Sequence, residues 1–290
     1  MKSKSIYTNI LELNLAILFI STSGVLGKYI DLPVPIIVLL RALIAGFLLL
    51  VYCKVKKISF KIKTEDRMSI LVGGLFLGAH WISYFYAIKF SNVAIGMLTL
   101  YTFPAITTLL EPLLTKSKFQ VIHLALGGLV LFGVYLLSPN FNFKSKDFMG
   151  VCLGILSAVF YSIRIIMLKS KVQHYNQSAL MLHQLAIITV FLLPTYWMMD
   201  HSNIINFLPS TILLAVVTTA IGHTLFVYSL QHFTAASASL ISSLQPIFGI
   251  ILAMLFLGEY PNLQTVLGGL VIISTVLIES MRFIKLKNKS

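Results

Sequence analysis

Charge is scarce in this chain. Of 290 residues only 11% are Asp, Glu, Lys or Arg, and 58% are hydrophobic, against about 25% charged in an ordinary soluble domain. Folded in water, such a chain has too little polar surface to cover itself, which excludes a soluble globular domain and leaves an integral membrane protein. Acid is scarcer still: nine Asp and Glu face 22 Lys and Arg, for a net charge of +13. Cysteine is nearly absent. Cys53 and Cys152 stand in no CxxC or Cys/His pair of ligand spacing, so neither a disulfide framework nor a metal site is expected, and both read as small packing residues. The sequence has no G-x-x-x-x-G-K-[ST], which argues against direct ATP hydrolysis. It has neither H-E-x-x-H nor G-x-S-x-G, so membrane hydrolase chemistry has no signal. The expectation from these absences is a non-enzyme with no catalytic residue, no metal and no cofactor.

What is present is apolar sequence in runs of bilayer length. A membrane helix needs about 20 mostly apolar residues. Ten spans fit that requirement: 10–29, 35–53, 69–88, 93–114, 120–137, 149–168, 179–199, 209–230, 236–257 and 263–281. Turn or charge signals separate them, including Pro33 and Pro35, the basic 54–67 loop, Ser91 with Asn92, 116–118, 138–140 and 258–261. The first span reads as a membrane helix rather than a cleaved signal peptide, because its apolar run is long and no A-x-A-type site follows. An even count puts both termini on one side. If that side is cytoplasmic, its loops hold sixteen Lys and Arg, against Lys28, Lys89, Lys144 and Lys146 outside, with Arg41 and Arg164 inside spans. This is a positive-inside bias, and it explains the basic balance without a nucleic-acid partner. The expected partners are a small-molecule substrate and membrane lipid.

The chain also repeats itself. LGAHWISYFYAIKFSNVAIGMLTLYTFPAITTLLEPLL from Leu77 is echoed by AIGHTLFVYSLQHFTAASASLISSLQPIFGIILAMLFLGE from Ala220. His80 falls on His223 and Phe90 on Phe233, 143 residues on, and after a one-residue slip Pro104 falls on Pro246. The expected architecture is therefore an all-α integral membrane protein, with residues 1–137 and 149–290 as two repeats and 138–148 as the linker. Five helices per repeat is an odd number, so the second copy enters from the opposite face. The ten transmembrane helices form two inverted five-helix repeats, with a substrate site at their interface near mid-bilayer. One chain holds both halves, so a monomer is expected.

GHTLFVYSLQHFTAASASLISSLQPIFGIILAMLFLGE (222–259) resembles the second half of an EamA-type permease, the ten-helix branch of the drug/metabolite transporter superfamily. The Pro35…Arg41 step and TLYTFP (99–104) are similar to its first half, so the resemblance covers nearly the whole chain. It implies a five-plus-five inverted repeat, a bacterial inner-membrane location and transport of a small metabolite, such as an amino acid or related compound, often outward. Arg41 is a usual feature of the family. One departure stands out. The fourth helix of the family often ends in LGE, as the ninth does here at 257–259, but the first half reads Leu114-Thr115-Lys116-Ser117 with its acid earlier, at Glu111. A role shared by symmetry between those ends is therefore not implied.

Polar residues inside the spans are the candidate site. Asn14, Ser21 and Lys28 recur every seven residues on the first helix; Ser157, Tyr161, Arg164 and Lys171 share a face of its mate, the sixth. Interhelix hydrogen bonding accounts for the small hydroxyls. A central Arg costs about 2.5–3.5 kcal/mol to insert, so Arg164 either faces a cavity or snorkels to the nearby helix end. His80, with Trp81 beside it and Tyr84 at i+4, matches His223; the pair lines a cavity or packs, and either histidine could carry a proton. Tyr101, Tyr161 and Gln245 complete the candidate substrate-binding set of His80, Trp81, Tyr84, Arg164 and His223. Pro104 and Pro246 are hinges or static kinks. Glu111, the one acid placed inside a span, pairs with Arg41 or Arg164, exchanges a proton, or is solvated at its helix end. These two prolines, Glu111 and Arg41 form the candidate coupling or gating set. Gly74-x-x-x-Gly78 and Gly150-x-x-x-Gly154 let helices approach closely. The leading function is a secondary transporter of a small metabolite working by alternating access, with proton coupling as an option. A lipid-carrier flippase or a membrane subunit of a larger assembly is the alternative.

Overall fold

The bilayer removes water from the backbone, so a spanning segment must satisfy its own N–H and C=O groups, and a helix does this. The computed structural model describes residues 6–115, 122–137, 145–169, 171–229, 231–232, 242 and 244–287, and all regular structure among them is helical. In chain order the helices are α1 (Ile6–Tyr29), α2 (Val34–Val55), α3 (Thr64–Phe90), α4 (Val93–Leu100), α5 (Phe103–Thr115), α6 (Ile122–Leu137) and α7 (Lys146–Lys169). Then follow α8 (Gln177–Leu192), α9 (Thr195–Met198), α10 (Ile204–Leu213), a π-helical segment (Leu214–His223), α11 (Thr224–Ser229), α12 (Leu244–Leu257) and α13 (Leu263–Lys287).

Seven stretches are long and apolar enough to cross a bilayer: Leu11–Tyr29, Val34–Val55, Thr64–Phe90, Val93–Leu114, Lys146–Lys169, Gln177–Met198 and Ile204–Ser229. Three shorter apolar stretches, Ala125–Leu137, Leu244–Leu257 and Leu263–Thr275, fall where the other three spans were expected. The chain is a multi-pass membrane protein. Its outer surface carries large apolar side chains such as Phe47, Val190, Phe191, Leu255 and Phe256, each more than half exposed. A soluble monomer does not present so much apolar surface to water. The expected breaks at 116–118 and 138–140, the start of the ninth span, and Phe233 lie outside the described residues.

Several spans differ in detail from a reading of hydropathy alone. α3 begins five residues early, because Glu65 and Asp66 in its first turn complement the helix dipole. The fourth span is two helices, broken at Tyr101–Thr102. Pro104 has no N–H to donate to Leu100 and sits instead in the first turn of α5, where none is needed. Asn92 caps the first piece, accepting from the Ile95 N–H at 2.9 Å. Pro194 divides the seventh span in the same way, between α8 and α9. The eighth begins at Ile204 rather than Pro209, which lies within α10, and then widens into the π-helical segment.

The most extensive helix contacts join early helices to late ones. α3 lies along α7, α1 along the π segment and α12, α2 along α8, α4 against α7 and α12, and α6 along α13. Glycine makes some of these approaches possible. A Cβ on Gly154 of α7 would overlap Thr99 Oγ1 on α4, and one on Gly74 of α3 would come within 2.9 Å of Ile187 on α8. Overpacking of this kind costs about 1–3 kcal/mol. We therefore expect Gly154→Ala to lower the thermal midpoint of the detergent-solubilised protein clearly. Gly128→Ala on α6, where a new Cβ meets nothing within 4 Å, leaves the midpoint level or raises it. Equal midpoints for the two variants would contradict this packing.

Candidate functional site

Aromatic and polar side chains from the early and late helices converge on one interior cavity. Arg41 of α2, His80, Trp81 and Tyr84 of α3, Tyr101 at the α4–α5 break, Phe103 of α5, Tyr161 of α7, His223 at the end of the π segment and Gln245 of α12 all line it, with Ile20 and Ser23 of α1 and Leu100. Every titratable member is at least nine-tenths buried. The cavity measures about 20 Å³. That is room for about one water molecule, so the cavity cannot hold a metabolite as it stands.

Each wall residue is fixed by a neighbour. Arg41 is 1% exposed; its Nε donates to Thr219 Oγ1 on the π segment, and its guanidinium lies 3.8 Å from the centre of the Trp81 ring. The opposite wall is an aromatic chain. His80 packs on Tyr161 at 4.6 Å between ring centres, Tyr161 meets Phe103 edge-on at 4.9 Å, and Phe103 meets Tyr101 at 5.4 Å. The Tyr101 hydroxyl donates to Gln245 Oε1 at 2.9 Å. His80 Nδ1 lies 2.7 Å from Ser157 Oγ, and Ser157 donates to the His80 carbonyl. Trp81 stands 5.5 Å from His223, ring to ring.

Eight candidate residues thus meet at one place: Arg41, His80, Trp81, Tyr84, Tyr101, Tyr161, His223 and Gln245. Four do not line the cavity. Arg164 is fully buried, but Gln184 Oε1 accepts from its Nε (3.2 Å) and Nη2 (2.8 Å), so it neither snorkels nor lines the cavity. Glu111 lies two turns beyond Phe103, where it pairs with Lys169 at 2.9 Å rather than with Arg41 or Arg164. Pro104 and Pro246 are buried in the first described turns of α5 and α12. The sequence reading passed over Thr219, Ser23 and Gln184. The 143-residue offset that pairs the histidines also pairs Arg41 with Gln184; applied throughout, it would have found that residue.

Ion-pair clusters lie at the two ends of α3. At one end of α3, Glu259 accepts from the Val93 N–H (2.8 Å) and lies 3.8 Å from Lys28, whose Nζ donates to the Ile88 and Ser91 carbonyls. At the other end, Asp66 accepts from Lys171 and from the Tyr175 hydroxyl. That bond pushes the Tyr175 hydroxyl above its ordinary value. The two clusters are 22 residues apart along α3, about 33 Å, with His80 between them.

A profile of the EamA-like transporter family matches this chain twice, over residues 9–138 and 148–281. The chain belongs to the EamA-like transporter family. Among relatives of this EamA chain, the "Uncharacterized transporter YxxF" of Bacillus subtilis is 24% identical, over 97% of this chain and 92% of its own length. The "Pseudopaline exporter CntI" of Pseudomonas aeruginosa is 23% identical over 83% of this chain and 84% of its own. A solved crystal structure with 16% identity superposes with a TM-score of 0.69 and covers 97% of this chain and 99% of its own, a likeness of fold. These relatives are named as transporters and exporters, not as enzymes.

The Arg164–Gln184 bond separates structure from site in this transporter. A hydrogen bond to a buried charge is worth about 1.5–3 kcal/mol. We expect Gln184→Leu to lower the unfolding midpoint by a corresponding amount, because it strands the Arg164 guanidinium. Thermal unfolding in detergent measures this, and an unchanged midpoint would show that Arg164 does not depend on Gln184.

Proposed function

We propose that this protein is a secondary transporter that carries a small metabolite, such as an amino acid or related compound, outward across a bacterial inner membrane by alternating access. The observation that carries the proposal is a small buried cavity lined from both halves of the chain, with an ion-pair cluster at each end of α3, the helix that brings His80, Trp81 and Tyr84 to it. A carrier needs a central site that can be exposed to either side but not to both. Opening the Lys28–Glu259 cluster exposes the cavity to one side, and opening the Asp66–Lys171 cluster exposes it to the other.

A layout of ten transmembrane helices as two inverted repeats, 1–137 and 149–290, fits the packing. Exchanging the first repeat with the second turns the α3–α7 contact into the contact of α1 with the π segment, while α2–α8, α4–α12 and α6–α13 each map onto themselves. That pattern is expected of a twofold axis in the membrane plane, and the matching of the family profile in two halves supports it. The excess of Lys and Arg on the side of the termini supports a cytoplasmic location for both ends. His80 and His223 line the cavity and Glu111 does not, so proton coupling, where it operates, falls to the histidines. The outward direction draws support from a relative named as an exporter.

Counterflow in proteoliposomes tests the proposal, with labelled amino acids, nucleosides, sugars and amines, with and without a pH gradient. We expect saturable flux of one class. A His80→Gln/His223→Gln double variant should retain expression but lose most of that flux. Absence of flux for every solute from a folded preparation would contradict a metabolite carrier.

A further inference from the structure

The cavity wall has more hydrogen-bond donors than the chain satisfies. Arg41 Nη2, Trp81 Nε1 and His223 Nδ1 are buried and have no hydrogen-bond partner among the described residues. More than nine in ten buried polar groups in proteins have one. All three residues line the same cavity. The Arg41 guanidinium lies over the Trp81 ring at 3.8 Å, and the Trp81 and His223 rings stand 5.5 Å apart at a tilt of 59°, so the three side chains are neighbours. The guanidinium and indole groups can only donate, and imidazole donates from Nδ1 in one of its tautomers.

The charge balance points the same way. Arg41 brings a positive charge into the cavity, and no acid among the described residues lines it. Arg164, with its guanidinium 5.9 Å from the Tyr161 ring, adds a second positive group behind the far wall. A cationic substrate would meet repulsion and find the Trp81 face already covered by Arg41 at 3.8 Å. Ile20, Leu100 and Phe103 give the wall apolar surface, and Ser23, Tyr84, Tyr101, Tyr161 and Gln245 add neutral polar groups beside His80.

Resting on the carrier reading above, we propose that the transported metabolite is a small monoanion with an apolar body, and that its carboxylate seats on Arg41, Trp81 and His223. Arginine suits this role because its planar fork matches a carboxylate in two-point contact. One guanidinium on the cavity wall balances a single negative charge. The aromatic chain from His80 to Tyr101 receives the apolar body.

Only two tryptophans occur in the chain, Trp81 and Trp197. In a Trp197→Phe background Trp81 is therefore the sole indole reporter, and it stands in the proposed site. The protein in lipid nanodiscs is titrated with benzoate, its neutral isostere benzamide, the cation benzamidine and phenyl phosphate, while Trp81 emission is followed. We expect benzoate to saturate at a concentration at least about tenfold below benzamide, as loss of one charge-assisted hydrogen bond implies. Benzamidine should bind more weakly than either. Arg41→Gln should abolish the advantage of benzoate and leave the benzamide response; because the comparison between probes is made first on protein with Arg41 intact, a folding defect in the variant cannot imitate it. Equal or tighter binding of benzamide or benzamidine, tighter binding of phenyl phosphate, or no saturable response to any probe would overturn the proposal. Benzoate binding without flux of any solute in liposomes would uphold the anion site and remove the carrier. Flux confined to amines or neutral sugars would uphold the carrier and remove the anion site.

Discussion

A guanidinium buried without a carboxylate is the constraint around which this interior is arranged. Among the described residues Arg41 is held by neutral groups, an aromatic face and a threonine hydroxyl. A buried arginine is costly to place in a membrane, by about 2.5–3.5 kcal/mol even on the mildest scales. The structure offsets that cost locally. Trp81 lies under the cation, and the π-helical segment turns Thr219 toward Nε and His223 toward the cavity. π-helical turns are rare and occur often at functional sites; here the segment supplies His223 to the cavity wall and Thr219 as a partner for Arg41. Arg164 repeats the solution with Gln184 as the acceptor and is fully satisfied on two of its three nitrogens. Each arginine keeps one buried nitrogen without a partner among the described residues, but only Arg41 lines the cavity.

The closed state follows from helices brought together at several levels. Small residues such as Gly154 let α7 approach α4. The aromatic chain fills the centre down to about 20 Å³. Ion pairs then tie the helix ends, Lys28 to Glu259 and Lys171 to Asp66. These pairs are partly exposed, and exposed pairs are individually weak, of order 0–1 kcal/mol. Weak latches at two ends of a tightly packed centre suit a molecule that must open at one end without losing its fold.

Much of this was legible in the residues. Composition identified the membrane, the hydropathy runs located the helices, and the 143-residue echo placed His80 against His223, which face one cavity. What hydropathy could not show was where helices break. The Tyr101–Thr102 break and the π-helical turns depend on backbone hydrogen bonds that no periodicity records, and both carry cavity residues. For Glu111 the residues left open an arginine partner, proton exchange or solvation at its helix end; the structure pairs it with Lys169. Arg164 was a sound candidate on cost alone; only the geometry of Gln184 assigns it to the scaffold.

The central claim is that the two ion-pair clusters open one at a time about a shared cavity. Pulsed electron–electron distance measurements test it most directly, in nanodiscs and with Cys53 and Cys152 replaced by Ala. Spin labels at Tyr29→Cys and Tyr260→Cys report on the Glu259 end, and labels at Thr64→Cys and His174→Cys on the Asp66 end. With Glu259→Ala, the account predicts a longer distance in the first pair and a short, sharp distance in the second. Lengthening of both pairs together, or of neither, would contradict it.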